Sequence, residues 1–582
     1  MTDMRRTLLW VVFLMSLALL WDGWNKHTGK PSMFSPAPAT RPAEAGSTPS
    51  ATPPQATPAA GVATASGASA QEASLPAEKI TVSTDLMQAT LDSRGGVLVR
   101  LELLQQKEQH QVDVVDRVLG YFKGGADNAP DAKQPKKNVV LFDQSNDRYY
   151  IAQTGLWPSA AGRGELPEHH TVMRVVAGER VLKDDAAQLE VKFESPEIGG
   201  VKLVKTYTFK RGDYAIGVKH EVVNGSTAAL NPRLYLQLVR DGNPPPGGSA
   251  FYSTFTGPAV YTDAAKFQKI EFSDLDKGKA DYNKSADNGW VAMVQHYFAS
   301  AWLVGGRQPR EFFAGKVPGA NNEYAVGMFL PLGEIAPGAT KALDAQLFAG
   351  PQEDKKLKNL ANVAPGLELV RDYGMLTILA TPLFWLLTQL HALVGNWGWA
   401  IVALVVLLRI AFYWLNVSAY RSMAKMKAIN PKVMEMRERL KDKPQQMQQE
   451  MMRIYREEKV NPLGGCLPIL VQMPFFIALY SVLLASVEMR NAPWLGWITD
   501  LSAKDPYFVL PLLMTASSLL QTWLNPTPPD PMQARMMWIM PLVFSVMFFG
   551  FPAGLVLYWL TNNILAIAQQ WVINKQLGVL GK

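Results

Sequence analysis

The stretch WAIVALVVLLRIAFYWLNV, residues 399–417, is a 19-residue apolar run that contains a single charge, Arg409. A run of this length predicts a transmembrane helix. Arg409 lies ten residues after Trp399 and twelve before Arg421, hence roughly 15–18 Å from either end at about 1.5 Å per residue. The sequence therefore places a guanidinium near the middle of the membrane.

Arg409 has no acidic residue to pair with at that depth. Residues 373–434, 464–487, 506–529 and 531–582 contain neither Asp nor Glu. A guanidinium at the bilayer centre costs about 2.5–3.5 kcal/mol on insertion scales and cannot deprotonate. We therefore expect a water-filled cavity around Arg409. The alternative is snorkelling, but an arginine side chain reaches only about 6–7 Å, too little from this depth without local thinning of the bilayer.

Polar residues in the other apolar runs are candidates to line that cavity. They are Gln472, Ser517, Ser518, Gln521, Thr561, Asn562 and Asn563. Such side chains often only join helices, and we favour that interpretation for Ser517 and Thr561. Gln472 is the stronger candidate because Pro474 follows it closely and can free a backbone carbonyl.

Charge sets the orientation of the apolar runs. The segment 420–460 carries eleven Lys or Arg residues, which predicts a cytoplasmic location. Further runs at 466–487, 507–524, 536–551 and 553–573 predict four more spans. Together with an uncleaved N-terminal anchor at 1–24, preceded by Arg5 and Arg6, they give six transmembrane helices with both termini inside.

The segment 351–394 is predicted to lie on the outer surface as an interfacial amphipathic helix. Only one span can separate an external domain from the basic cytoplasmic segment, and 399–417 is that span. We expect interruptions at Pro365-Gly366 and at Pro382.

The first half of the chain predicts a linker and a β-domain. Between residues 35 and 70, 32 of 36 residues are Pro, Ala, Ser, Thr or Gly, which is typical of a disordered linker, placed at 25–77. Period-two alternation follows, as in VKLVKTYTF (201–209), the turn RGD (211–213) and YAIGV (214–218). Similar runs at 80–82, 98–104, 172–176 and 343–348 predict a large antiparallel β-sandwich over 78–350.

Composition argues against an enzyme. The chain has 582 residues, 48% of them hydrophobic and only 18% charged, with one cysteine, Cys466, and seven histidines without metal-ligand spacing. No P-loop, GxSxG or HExxH motif occurs. We predict no catalytic residues, no metal and no cofactor, and we interpret Cys466 as a small buried hydrophobe.

The cytoplasmic segment 418–460 predicts a helical hairpin broken near Pro444, with a stripe of methionines. Such a stripe is typical of adaptable binding surfaces. Two alternatives stay open: a hairpin packed on itself, and basic residues resting on anionic lipid.

Several motifs, in a fixed order, resemble the YidC/Oxa/Alb family of membrane protein insertases. They are GNWGW (395–399), Arg409, SMAKM (422–426), NPLGGCLP (461–468), QMP (472–474), DPMQ (530–533) and FPAGLVLY (551–558). LDSRGGV (91–97) and WVAMVQHYF (290–298) are similar to the periplasmic domain of the Gram-negative form. The resemblance is dense over 395–573, the larger part of an insertase core at 395–582.

The resemblance implies a bacterial inner-membrane insertase and chaperone with a periplasmic sandwich. Its expected partners are nascent membrane proteins, the Sec translocon with its accessory subunits, the ribosome at the cytoplasmic face and membrane lipids, without specific readout of nucleic acid. The family's groove carries over onto Arg409, Gln472, Tyr558 and Trp559. A slide along the third and fifth spans would involve, by position only, Ile469, Phe475, Phe476, Phe544 and Phe548. Trp559 stands where some relatives have Tyr, which puts in doubt any hydrogen bond from a hydroxyl there.

Two other functions remain as alternatives. A secondary transporter or lipid scramblase would use the same cavity, although the sequence has no visible inverted repeat. A sugar-processing sandwich is the other, because the family's periplasmic domain resembles carbohydrate mutarotases. Glu194, Glu221, His220 and His296 would be its candidate residues.

Overall fold

The computed structural model describes residues 76–108, 137–159, 165–245, 254–320, 322–441, 443–458, 467–525 and 531–576. The predicted anchor at 1–24 and nearly all of the predicted linker at 25–77 lie outside these residues. Within them, a β-domain is followed by a helical domain.

The β-domain consists of strands paired antiparallel. They are β1 Lys79–Ser83, β2 Met87–Asp92, β3 Val97–Lys107, β4 Asn138–Gln144, β5 Tyr149–Trp157, β6 Arg174–Val175, β7 Gln188–Glu194, β8 Val201–Lys210, β9 Ala215–Asn224, β10 Arg233–Asp241, β11 Gly257–Thr262, β12 Lys266–Lys269, β13 Ser285–Ala286, β14 Trp290–Val294, β15 Phe298–Leu303, β16 Arg310–Lys316, β17 Glu323–Pro331 and β18 Thr340–Pro351. A short helix, α1 (Phe272–Asp276), follows β12.

These strands form two nine-stranded sheets. The first has the order β1-β2-β3-β4-β5-β10-β17-β16-β13 and the second β12-β11-β14-β15-β18-β9-β8-β7-β6. Buried side chains from both sheets, such as Leu236 on β10 and Leu203 on β8, belong to one continuous hydrophobic core. The prediction of an antiparallel β-sandwich is therefore confirmed.

The hairpin of β8 and β9 shows how the sequence specifies this fold. Apolar residues of β8 alternate with polar ones, so that one face is buried in the core. Gly212 adopts a φ of 68° in the connection, a conformation that glycine reaches without steric cost. The register then pairs Tyr207 with Val218.

The helical domain follows β18. Its helices are α2 Asp354–Asn359, α3 Thr377–Val394, α4 Trp397–Ala411, α5 Tyr413–Arg439, α6 Pro444–Glu457, α7 Leu467–Ala485, α8 Val509–Leu524, α9 Pro531–Phe548 and α10 Ala553–Gln576. A second hydrophobic core is formed mainly by α3, α4, α7 and α10.

The predicted single helix over 399–417 is instead two helices. α4 ends at Ala411, α5 begins at Tyr413, and the chain bends by 64° between them. The bend leaves Arg409 in the last turn of α4, where the carbonyl end of the helix dipole favours a cation. No Pro or Gly marks this position, so the break was missed.

The predicted interruption at Pro382 is also wrong. α3 runs from Thr377 to Val394 with Pro382 inside it. Pro382 lies only five residues after the first residue of the helix. Its missing N–H therefore removes one backbone hydrogen bond close to the N-terminal end, and the helix continues beyond it. The chain does break before α3, at Gly366, which has a φ of 75°.

Length and composition single out few membrane-spanning candidates. In the described part of the chain, α3 is the one single helix that is long and apolar enough to cross a membrane. α4 together with the start of α5 forms one further, bent candidate. The apolar helices at Val471–Ala485, Val509–Leu524 and Ala534–Phe548 are shorter. The count of six spans stays a prediction.

The outer faces of these helices are apolar. Trp414 is 79% exposed, Val546 is 72% exposed and Trp523 is 67% exposed. Many large exposed apolar side chains are unusual for a protein surrounded by water and are expected where lipid covers them.

Candidate functional site

A cavity of about 810 Å³ lies between the helices of the second domain. Its walls come from α4, α5, α7, α8, α9 and α10. Its polar lining consists of Arg409, Asn416, Tyr420, Gln472, Gln521, Asn525, Asn562 and Asn563. Its aromatic lining consists of Phe412, Phe475, Phe476, Tyr480, Phe544, Phe548, Phe551, Tyr558 and Trp559.

Arg409 is held against one residue of α10. Its Nε donates a hydrogen bond to Oδ1 of Asn562 at 2.9 Å, and Nη2 donates to the backbone oxygen of Asn562, also at 2.9 Å. Both acceptors are neutral. A guanidinium has five N–H donors, of which Asn562 uses two, and the hydroxyl of Tyr420 also accepts a hydrogen bond from Arg409.

No carboxylate lines the cavity, and the described residues form no ion pair with Arg409. The positive charge is therefore compensated by dipoles: the Asn562 amide and carbonyl, the hydroxyl of Tyr420, and the end of α4.

Amide side chains form a second polar feature of the cavity. Nε2 of Gln472 on α7 donates to Oδ1 of Asn416 on α5 at 2.9 Å. Nδ2 of Asn416 in turn lies 3.4 Å from Oε1 of Gln569 on α10. This chain of amides links three helices at the wall of the cavity.

Aromatic rings pack closely in the other half of the cavity. The ring of Trp559 meets that of Phe476 edge-on, with centroids 4.7 Å apart, and that of Phe548 at 5.0 Å. Phe548 also contacts Phe551, at 5.5 Å. Edge-to-face packing adds to the hydrophobic stabilisation of such clusters.

The amide side chains and the aromatic rings of the cavity lie at different distances from the sandwich. The C-terminal end of α7 contacts the sandwich, where Nε2 of His296 donates to the backbone oxygen of Leu484 at 2.8 Å. Tyr480 lies near that end of α7 and Gln472 near the other. The cavity is therefore aromatic toward the sandwich and polar away from it.

The structure brings together the residues that the sequence singled out. Of the predicted groove and slide residues, those that line the cavity are Arg409, Gln472, Tyr558, Trp559, Phe475, Phe476, Phe544 and Phe548. The side chain of Ile469 lies outside the described residues, as does Cys466. The functional roles of all these residues stay predictions.

The polar candidates divide into two groups. Gln472, Gln521, Asn562 and Asn563 line the cavity. Ser517 instead receives a hydrogen bond from Nδ2 of Asn563 at 3.2 Å, as expected of a residue that joins helices. Sequence reasoning missed Asn416 and Tyr420, although each is a polar residue within or beside an apolar run.

The sandwich candidates do not converge on one site. Hydrogen bonds from Lys202 and Arg174 lower the pKa of Glu194 to about 2 on an exposed face. Glu221 pairs with Lys219 at 2.9 Å. His220 is buried beside Thr154, with burial lowering its pKa to about 3, and His296 contacts α7. No group of three or more metal-ligating side chains occurs among the described residues.

A helical domain with apolar outer faces, a cavity around an arginine and an attached β-sandwich define a membrane protein with a large domain outside the bilayer. The family model described as "60Kd inner membrane protein" matches residues 389–578 of this chain, and the model described as "YidC periplasmic domain" matches residues 129–386. The chain belongs to the YidC family of membrane protein insertases, a non-enzymatic family, and its sandwich is the periplasmic domain of that family.

Relatives match over almost the full length. The membrane protein insertase YidC of Cupriavidus taiwanensis is 53% identical, covering 99% of this chain and 98% of the relative. That of Cupriavidus necator is also 53% identical, with 99% and 98% covered. A crystal structure of an active YidC insertase with its first transmembrane domain resolved is 19% identical, with a TM-score of 0.36, covering 84% of this chain and 91% of that one.

Proposed function

We propose that the cavity around Arg409 receives the polar end of an incoming membrane protein and passes the attached apolar segment into lipid. The observation that carries this is a guanidinium in an 810 Å³ cavity that has no carboxylate among its described lining residues. A cation without a counter-charge attracts an anionic or polar segment that would otherwise meet hydrocarbon.

The proposed sequence of events follows the polarity of the cavity. A short polar tail, often acidic, enters the polar half and is compensated by Arg409 and water. The tail then leaves outward while its apolar segment partitions into lipid. Burial of that segment supplies the driving force, at about 25 cal/mol per Å² of apolar surface. The cavity lowers the barrier and supplies no energy.

The exit of the apolar segment is proposed to follow α7 and α9. Phe475 and Phe476 on α7 and Phe544 and Phe548 on α9 line the cavity where these two helices face it. Phe544 is 49% exposed, so its ring is accessible for contact with an incoming apolar segment. Together with Ile469, they would form the slide on which an apolar helix rests.

The proposed topology has six spans with both termini in the cytoplasm of a bacterial inner membrane. The anchor is 1–24, the linker 25–77, the periplasmic sandwich 78–350, the interfacial segment 351–394 and the insertase core 395–582. If α3 crossed the membrane in addition to α4, the basic segment 420–460 would lie on the same side as the sandwich. The positive-inside rule opposes that placement, so we assign α3 to the outer interface.

The cytoplasmic hairpin 418–460 is the proposed contact for partners. α5 and α6 carry most of its basic residues, and Lys432 of α5 pairs with Glu458, just beyond α6. Ribosomes delivering nascent chains and the Sec translocon with its accessory subunits are the expected partners. The basic charge also suits anionic lipid headgroups.

Substitution of Arg409 tests the proposal. Arg409→Ala should impair insertion of single-span substrates with acidic tails most, whereas Arg409→Lys should retain it, since a charge is needed rather than a bidentate fork. Insertion into membranes depleted of the wild-type protein is measured by protease protection of the substrate tail. Each substrate is paired with a version whose acidic residues are replaced by amides. Equal losses for Arg409→Ala and Arg409→Lys, or equal losses for acidic and neutral tails, would contradict the proposal.

A further inference from the structure

The guanidinium of Arg409 is docked on one edge. Nε and Nη2 lie on the same side of the planar group, and both donate to Asn562, the first to Oδ1 and the second to the backbone oxygen. A group held at two points in one plane cannot rotate freely. The hydroxyl of Tyr420, which lines the cavity beside Arg409, is a further neutral hydrogen-bond partner of the guanidinium.

The acceptor that docks this edge is neutral. An aspartate has almost the same shape as an asparagine and would accept the same Nε–H bond. It would also neutralise the cation, since an ion pair in a poorly screened site is far stronger than in water. An amide therefore fixes the arginine without consuming its charge.

We infer that Asn562 is a positioning and specificity-determining residue, which docks Arg409 on α10 and keeps its full charge available to acidic substrate tails. This inference rests on the proposed function of the cavity. The other explanation is that Asn562 only joins α4 to α10, as amide side chains do in many helical membrane proteins.

The chain offers a matched control one residue away. Asn563 also lines the cavity, but its Nδ2 donates to the hydroxyls of Ser517 at 3.2 Å and Ser518 at 2.8 Å on α8. In the part of the chain that the structure describes, these bonds join α8 to α10 and do not involve Arg409. Substitutions at 562 and 563 thus compare an amide that holds the cation with an amide that joins helices.

The test measures the ratio of insertion of an acidic-tailed substrate to that of its neutral-tailed version. Asn562→Asp should lower this ratio as far as Arg409→Ala does, roughly tenfold if one charge-assisted interaction is lost, with neutral tails inserted as before. Asn562→Leu should lower the ratio less, because Arg409 keeps its charge but its guanidinium is no longer fixed by the side chain at position 562. Asn563→Asp and Asn563→Leu should change the insertion of the acidic-tailed and the neutral-tailed substrate by the same factor, so that the ratio stays at its wild-type value.

Thermal unfolding of each detergent-solubilised variant reports whether it is folded. If Asn562→Asp does not fold, Asn562→Leu carries the test. A wild-type ratio in a folded Asn562 variant, alongside a lowered ratio in Arg409→Ala, would overturn the inference and leave the proposed function intact. A wild-type ratio in Arg409→Ala itself would locate the failure in the proposed function, and the inference would fall with it.

Discussion

Arg371 and Glu488 form an ion pair, with Nη2 and Oε1 2.8 Å apart. The pair joins the segment that follows the sandwich to the C-terminal end of α7, a helix that lines the cavity. Arg371 follows the sandwich and its side chain is almost fully buried, and Glu488 lies just beyond α7. Arg371 also donates to the hydroxyl of Tyr373. Val487, next to Glu488, packs into the sandwich core. The sandwich therefore holds the outer end of a helix that lines the cavity.

Glu488→Ala should destabilise the protein by about 2 kcal/mol. Removing one partner of a buried ion pair costs about 3–5 kcal/mol, and Asp354, whose Oδ1 lies 3.9 Å from Arg371, offsets part of that loss. The measurement is thermal unfolding of the purified full-length protein in detergent. As a control, Lys183→Ala breaks a pair with Glu179 that is exposed on both sides and should change stability by less than about 0.5 kcal/mol. A Glu488→Ala variant as stable as Lys183→Ala would show that the pair does not tie the domains together.

The sandwich could be predicted from the sequence because its signal is local. Alternating side chains and a turn such as that at Gly212 specify a hairpin within about twenty residues. Arg409 and Gln472 could be found for the same reason, as single polar groups in apolar runs. Asn416 and Tyr420 could not be assigned to the cavity, because their position depends on how α5 packs against α7 and α10. The bend at Phe412 was missed because no Pro or Gly marks it in the sequence.

The sandwich should lose stability in mild acid, and His220 should contribute. Burial, together with the nearby charge of Lys205, lowers the pKa of His220 to about 3 from its usual 6.5. Between these values the unfolded chain binds a proton that the folded chain does not. Stability from this group is therefore present above pH 6.5 and is lost as the pH falls toward 3, by about 1.4 kcal/mol per pH unit.

His220→Gln tests this, because glutamine can still bond the hydroxyl of Thr154 but does not titrate. The unfolding temperature of the full-length variant should depend less steeply on pH between 6.5 and 3 than that of the wild type. Carboxylates and His169 titrate in both proteins, so the difference between the two curves isolates His220. Parallel curves would mean that His220 is protonated in the folded protein.

Trp559→Tyr should preserve insertion, whereas Trp559→Ala should not. The ring of Trp559 packs between Phe476 and Phe548, and these contacts depend on an aromatic face rather than on a hydroxyl. Loss of the whole ring should lower the free energy of unfolding by about 3 kcal/mol or more. A tyrosine retains most of the ring contact and should lower it by about 1 kcal/mol. Insertion of a neutral-tailed substrate and thermal unfolding are measured together. If Trp559→Tyr were as impaired as Trp559→Ala, a specific property of the indole would be required instead of ring packing.

The cavity should contain water at the level of Gln472, and cysteine reactivity can measure this. Cys466 is the only cysteine, so Cys466→Ala provides a background without thiols. Gln472→Cys then places a thiol on the cavity wall, while Val471→Cys places one at an adjacent position that is 40% exposed yet does not line the cavity. The two positions differ in depth by only about 1.5 Å, but they point about 100° apart around α7.

A charged, membrane-impermeant thiosulfonate reacts with thiolates, which form in water and are suppressed in hydrocarbon. Added to inverted membrane vesicles, it should label Gln472→Cys at least about tenfold faster than Val471→Cys, because only the former faces a hydrated space. Protein unfolded in urea, in which both positions meet water, should narrow the difference and thereby controls for intrinsic reactivity. Equally slow labelling of both variants in vesicles would mean that the cavity is dry. Arg409 would then be stabilised by the dipoles of Asn562, Tyr420 and α4 without water, and a polar tail would have no hydrated path to it.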